Sequence, residues 1–146
     1  MTKGAKLINM NPVFVGQNGD ALMSRKILIA DDEVSVCQLL GLTLDTEGYV
    51  TEFAYDGLET LDKVREWKPD LLLLDVMMPR LDGWSVVSEL RSSPDTAELP
   101  VIMLTALGQD EAMVSSIMSG ADVHLTKPLE PDELISIVKR LCPLDG

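Results

Sequence analysis

Residues 69–79 read Pro-Asp-Leu-Leu-Leu-Leu-Asp-Val-Met-Met-Pro. The four leucines at 71–74 do not alternate with polar residues, so a strand built from them has both faces covered. Strands buried on both sides belong to parallel sheets packed between helices. Pro69 and Asp70 punctuate the run at its start, and it ends abruptly in the acid Asp75.

The same kind of segment recurs on either side. Residues 26–30 form a short apolar run that ends in Asp31-Asp32-Glu33. Residues 34–47 carry apolar side chains at 36, 39, 40, 42 and 44, a spacing that predicts an amphipathic helix, with Gly48 as its stop. A second, less apolar strand is expected over 49–54, and Asp56 is placed to cap a helix over 57–67 with Leu58, Leu61 and Val64 on one face. Beyond the leucines, helices are expected over 83–91, 110–119 (ended by Gly120) and 131–141 (Pro131 in its first turn, Glu133 behind it). Strands are expected over 100–105 and 122–126. A βα unit repeated five times predicts an α/β fold, a doubly wound five-stranded parallel sheet with right-handed crossovers. Ligands of such sheets bind outside the carboxyl ends of the strands.

Those ends carry a consistent polar set: Asp31 and Asp32 after the first strand, Asp75 after the third, Thr105 after the fourth and Lys127 after the fifth. Three carboxylates gathered in one crevice repel each other unless a cation stands among them. A hard divalent cation takes oxygen ligands from one or two carboxylates and keeps positions open for phosphate and water. With the Lys127 ammonium and the Thr105 hydroxyl beside it, the set holds the parts of phosphoryl transfer: a carboxylate nucleophile, a metal, a fixed positive charge and a hydrogen-bond donor.

Asp31-Asp32, Asp75-Val76-Met77-Met78-Pro79 with Asp82-Gly83, Thr105-Ala106 and Lys127-Pro128 together resemble the receiver domain of two-component response regulators. Each motif is weak alone, but in this order and at these spacings they make a strong signal over roughly residues 25–142. The resemblance implies the flavodoxin-like strand order 2-1-3-4-5. It implies that Asp75 is the phosphoacceptor, with Thr105 and Lys127 contacting the phosphoryl group. It implies Mg²⁺, with Mn²⁺ or Ca²⁺ able to substitute, held by Asp32, Asp75 and the backbone carbonyl of Met77, and by Asp31 through water. The Lys127-Pro128 bond is expected to be cis. His124, the one histidine of the chain, stands where the family often has an aromatic residue that turns with Thr105 on activation. A partly exposed strand residue is an equally good account of it.

Blander accounts exist for each residue. Asp31 and Asp32 could cap the first helix, Thr105 could be a β-former, and Lys127 could be a loop lysine. Their company decides against these. Asp56, Asp62, Glu66, Glu111, Glu130 and Asp132 read as solvated charges, and the methionines as core filler. Met77 and Leu107, two past Asp75 and two past Thr105, flank the path of the hydrolytic water in the family. Both are apolar here, so the aspartyl phosphate is expected to be long-lived.

The resemblance implies a switch rather than an enzyme, with phosphoryl transfer and dephosphorylation self-catalysed. A sensor histidine kinase or phosphotransfer protein donates the phosphoryl group. A downstream protein or output domain then reads the surface formed by residues 110–119, 122–126 and 131–141. A phosphorylation-dependent homodimer is one form that reading takes. Two rival classes are weaker. A phosphohydrolase of the haloacid-dehalogenase type needs a second Asp where Met77 stands, and a nucleotide or flavin site needs a glycine-rich loop where Asp31 and Asp32 stand.

The bulk properties agree. The 146 residues suffice for one domain, and a net charge of −12 repels nucleic-acid backbones and anionic membranes, so direct binding to either is not expected. Cys37 and Cys142 form no Cys-x-x-Cys pair and read as reduced, packed thiols. Lacking a membrane-length apolar run or a signal-peptide pattern, the chain is expected to be cytoplasmic. Residues 1–24, rich in turn formers, are read as a partly disordered extension and 143–146 as a stub. Met23 opens a second natural start, which leaves residues 1–22 open as an extension, an added segment or a misassigned start. No output domain follows the last predicted helix, which fits either a protein working through contacts alone or a receiver from a longer regulator.

Overall fold

The computed structural model describes residues 24–106 and 120–144. The extension expected before residue 24, the helix expected over 110–119, Leu107 and the last two residues of the C-terminal stub therefore lie outside the described residues. The elements run β1 (Lys26–Ala30), α1 (Val34–Thr46), β2 (Val50–Ala54), α2 (Gly57–Trp67), β3 (Leu71–Asp75), α3 (Gly83–Arg91), β4 (Val101–Thr105), β5 (Val123–Thr126) and α4 (Pro131–Leu141). All neighbouring strands pair in parallel, in the order β2-β1-β3-β4-β5. This is the doubly wound, flavodoxin-like arrangement expected.

The leucine run shows why the sheet needs both faces covered. Leu72 and Leu74 join Leu28, Val101 and Met103 in a core closed by Leu61 and Val64 of α2 and Val86, Val87 and Leu90 of α3. Leu71 and Leu73 join Ile27, Ile29, Ile102 and Leu104 in a second core closed by Cys37, Leu40 and Leu44 of α1 and Leu134 and Val138 of α4. Successive residues of one strand point to opposite faces. A single unbroken apolar run thus feeds two cores.

The helix faces differ in part from the expected ones. In α1 the buried residues are Cys37, Leu40, Gly41 and Leu44, whereas Leu39 and Leu42 are 65% and 66% exposed. The seam runs i, i+3, i+4, i+7 through a cysteine and a glycine, which a count of large apolar residues passes over. Likewise Leu58 in α2 is exposed, and Gly57, Thr60, Leu61 and Val64 face inward. Gly57 is forced: a Cβ there would lie 2.0 Å from the Leu81 carbonyl oxygen, so α2 starts against the loop after β3. Asp56 accepts from the Glu59 amide at 2.8 Å and caps α2 as expected. Gly48 follows α1 at φ +104, a left-handed conformation that favours glycine. Both cysteines are free and buried.

Candidate functional site

The carboxyl ends of β1, β3, β4 and β5 meet in one crevice, and each side chain there has a reason to be where it is. Asp31 follows β1, its amide donating to the Ala54 carbonyl at 3.0 Å. Its carboxylate is fully buried. One oxygen accepts from the Glu33 amide at 2.9 Å and the other from Lys127 Nζ at 2.8 Å. Neither Asp31 nor Asp32 caps α1, whose N-cap residue is Glu33 without a side-chain bond. Asp75 closes β3 and is 7% exposed. Lys127 Nζ lies 3.5 Å from its Oδ1. Asp32 is exposed, yet one ligand oxygen from each of Asp31, Asp32 and Asp75 lies within 4.8 Å of the others.

Two further features fix the rim. Gly83 opens α3 directly over the end of β3, where its amide donates to the Val76 carbonyl at 2.8 Å. A Cβ on Gly83 would stand 2.6 Å from the Asp75 carbonyl oxygen, so no larger residue fits without moving the strand end. Asp82 caps this helix by accepting from the Ser85 amide at 2.9 Å. On the far side the Lys127–Pro128 peptide is cis, and the Lys127 amide donates to the Thr105 carbonyl at 2.7 Å. Thr105 is 1% exposed, and its hydroxyl lies 2.6 Å from Nε2 of His124. Met77, by contrast, is 58% exposed and not core filler.

The electrostatics follow from this packing. Burial, reinforced by the Asp31 charge, pushes the Asp75 carboxyl up to about 6, against the pull of Lys127. Burial alone would lower the Lys127 ammonium, but the hydrogen bond to Asp31 and the Asp75 charge outweigh it, and its pKa is raised. One ammonium faces three carboxylates here, an excess of negative charge that suits a divalent cation with oxygen ligands. Sequence reasoning brought these residues together correctly but missed that Lys127 sits closer to Asp31 than to Asp75. A fully buried carboxylate needs the nearest available cation.

Sequence reasoning also missed what adjoins the crevice. A groove of about 480 Å³ runs between α1 and α4, lined by Val36, Leu39, Pro128, Leu129 and Leu134, with Lys127 at its crevice end. Its apolar character comes from Val36, Leu39 and Leu40 of α1, from Pro131 and Leu134 of α4, and from Pro128 and Leu129 before α4. Among the described residues no helix is long and apolar enough to cross a membrane.

Comparison with known proteins places this geometry. Residues 27–139 match the family described as the response regulator receiver domain. The DNA-binding dual master transcriptional regulator RpaA of Synechocystis is 40% identical over 116 residues, 80% of this chain and 48% of that protein. The response regulator MprA of Mycobacterium tuberculosis is 42% identical over 119 residues, 82% of this chain and 51% of that protein. The chain thus spans about half the length of the curated relatives it matches. Among solved structures, a Francisella response regulator receiver domain shares 37% identity at a TM-score of 0.74, covering 81% of this chain and 96% of that one. The receiver domain of a Pseudomonas aeruginosa sensor histidine kinase shares 26% identity at a TM-score of 0.75, covering 81% and 97%. That structure is described with a magnesium ion coordinated in its active-site cleft.

Proposed function

This chain belongs to the response regulator receiver domain family, and on that premise we propose that Asp75 accepts a phosphoryl group from a sensor histidine kinase or phosphotransfer protein. The observation that carries the assignment is the convergence of Asp31, Asp32 and Asp75 with Lys127 in one crevice. Receiver domains act in two-component signalling and are not classical enzymes, so the chemistry is a single transfer onto the protein itself. The receiver unit spans residues 25–142 and works in the cytoplasm.

The donor set fits Mg²⁺. Asp32, Asp75 and the Met77 carbonyl would hold it, with Asp31 acting through water, and the bound ion would neutralise charge on the transferring phosphoryl oxygens. A carboxylate oxygen of Asp75 attacks phosphorus. The O–P bond forms as the donor's N–P bond breaks, and the imidazole nitrogen leaves with the electron pair. Asp31 holds the Lys127 ammonium at 2.8 Å, in position to pair with the new dianion. Thr105 donates its hydroxyl proton to a phosphoryl oxygen. This shift biases a pre-existing equilibrium of the surface read by a downstream protein, an output domain or a second copy of the chain. Burial around Asp75 keeps bulk water back, and exposed Met77 offers no group to activate the water that remains, so the phosphoryl group is lost slowly.

The apolar groove is the docking face for the donor protein, because it borders the phosphoacceptor crevice through Lys127 and exposes Leu39 to solvent. The strongly acidic chain supports a receiver that reaches nucleic acid, if at all, through its partner. Incubation with Mg²⁺ and acetyl phosphate, followed by intact-mass measurement, tests the central claim. One phosphoryl adduct is expected, absent with chelator and absent in Asp75→Ala. An unmodified, folded parent protein would point instead to a receiver that signals by binding alone.

A further inference from the structure

The Thr105 hydroxyl has one proton, and two groups compete for it. Its oxygen lies 2.6 Å from Nε2 of His124, a separation at which one of the two atoms must donate. A neutral imidazole carries its proton on either nitrogen, so the unmodified protein allows both directions: Thr105 donating to a bare Nε2, or Nε2–H donating to Thr105. A phosphoryl group on Asp75 removes that freedom. Its ionised oxygens only accept, so Thr105 must give them its proton. The contact with His124 then survives only if Nε2 carries a hydrogen.

We propose that phosphorylation of Asp75 fixes the proton of His124 on Nε2, forming a directed chain in which His124 donates to Thr105 and Thr105 donates to the phosphoryl group. This rests on the reading of Asp75 as the phosphoacceptor. His124 is then a positioning residue. It holds the Thr105 oxygen by a hydrogen bond and orients its proton, which an aromatic hydrocarbon ring cannot do. Geometry supports the chain from both ends. Thr105 is 1% exposed, so its hydroxyl has little access to water as an alternative partner. His124 is only half-buried, so solvent can carry the proton from Nδ1 to Nε2 with no net change in the charge of the ring. The two side chains sit on adjacent parallel strands, with Met103 opposite His124 and Thr105 opposite Thr126. The sheet itself therefore sets their diagonal separation.

The one histidine of the chain makes the test direct, because every imidazole signal belongs to His124. Long-range ¹H–¹⁵N spectra of the full chain are compared before and after saturation with Mg²⁺ and acetyl phosphate. Intact mass taken in parallel shows that the adduct has formed. The expected result is that Nε2 becomes fully protonated in the phosphorylated protein, and that neither Asp75→Ala nor Thr105→Val shows the change. An adduct in the mass spectrum with Nε2 still bare overturns the chain and leaves the phosphoacceptor reading standing. No adduct at all overturns both. Side-chain variants give a second readout. His124→Gln retains a donor and is expected to accept phosphate within about twofold of the parent rate. His124→Phe is expected to slow it about threefold to tenfold, the worth of one hydrogen bond. In a Thr105→Val background the two variants should be alike; a difference that persists there would mean that residue 124 acts through packing instead.

Discussion

Replacing Lys127 by methionine removes one charge while keeping most of the side chain's volume. The structure sets the size of the effect. The ammonium is 2.8 Å from Asp31 and 3.5 Å from Asp75, and the Asp31 side chain has no exposure at all. Removing one partner of a buried ion pair costs about 3–5 kcal/mol, because the remaining charge is stranded. The Lys127 side chain keeps 23% of its exposure, which argues for the lower end, about 3 kcal/mol. For a domain of this size that lowers the thermal midpoint by about 10 °C. Urea unfolding in chelator is the assay. Magnesium should then return part of the loss, since a cation among the three carboxylates relieves the same repulsion, and the variant should bind Mg²⁺ more tightly than the parent. Adding Asp31→Asn should recover stability, because the stranded charge goes with it. A Lys127→Met protein as stable as the parent in chelator would refute the idea that this lysine neutralises the crevice.

Three further outcomes are expected. Met77→Asn should speed phosphate loss at least about tenfold by giving the hydrolytic water a polar partner, and an unchanged rate in a phosphate-release assay sinks the account of a long-lived adduct. Leu39→Asp should leave folding within about 0.5 kcal/mol, because the side chain is 65% exposed. It should slow transfer from a kinase that serves the parent by about tenfold and leave acetyl phosphate labelling alone; equal loss with both donors removes the groove as a docking face. Alkali should weaken the fold. Burial, aided by the Asp70 charge, pushes the Cys142 thiol from 9.0 up to about 11, and burial pushes the Tyr49 phenol from 10.0 up to about 12. The unfolded chain loses these protons first, so stability is intact below pH 9 and falls as pH rises toward 12. A drop of at least about 3 kcal/mol by about pH 10.5 is expected from urea midpoints, and a flat profile would contradict it.

The strands and the bounds of α2, α3 and α4 are legible in the sequence because their signals are local. An unbroken apolar run, an acid at a helix start and a glycine past a helix end each act within a few residues. The crevice residues are legible because strand ends converge once the sheet is known. What escaped was set by neighbours distant in the chain. The inward face of α1 runs through Cys37 and Gly41, where a Cβ on Gly41 would stand 2.8 Å from the Phe53 ring of β2, and Leu39 and Leu42 face solvent instead. The tighter hold of Lys127 on Asp31, 96 positions away, depends on burial that no local pattern reports. The demand for glycine at position 83 comes from the backbone of Asp75, which only the folded approach brings near.

The described domain begins and finishes at the same place. Arg25 donates to the Pro143 carbonyl at 3.2 Å, and the Tyr49 hydroxyl donates to the Cys142 carbonyl at 2.8 Å. Both contacts lie beside the amino end of β1, the pole of the sheet opposite the acidic crevice. Residues 25 and 143 therefore lie at that pole, away from the crevice. Between that pole and the crevice runs the full length of the strands, about 17 Å for five residues. A change in the crevice is felt at that pole only through the strands and the helices that flank them.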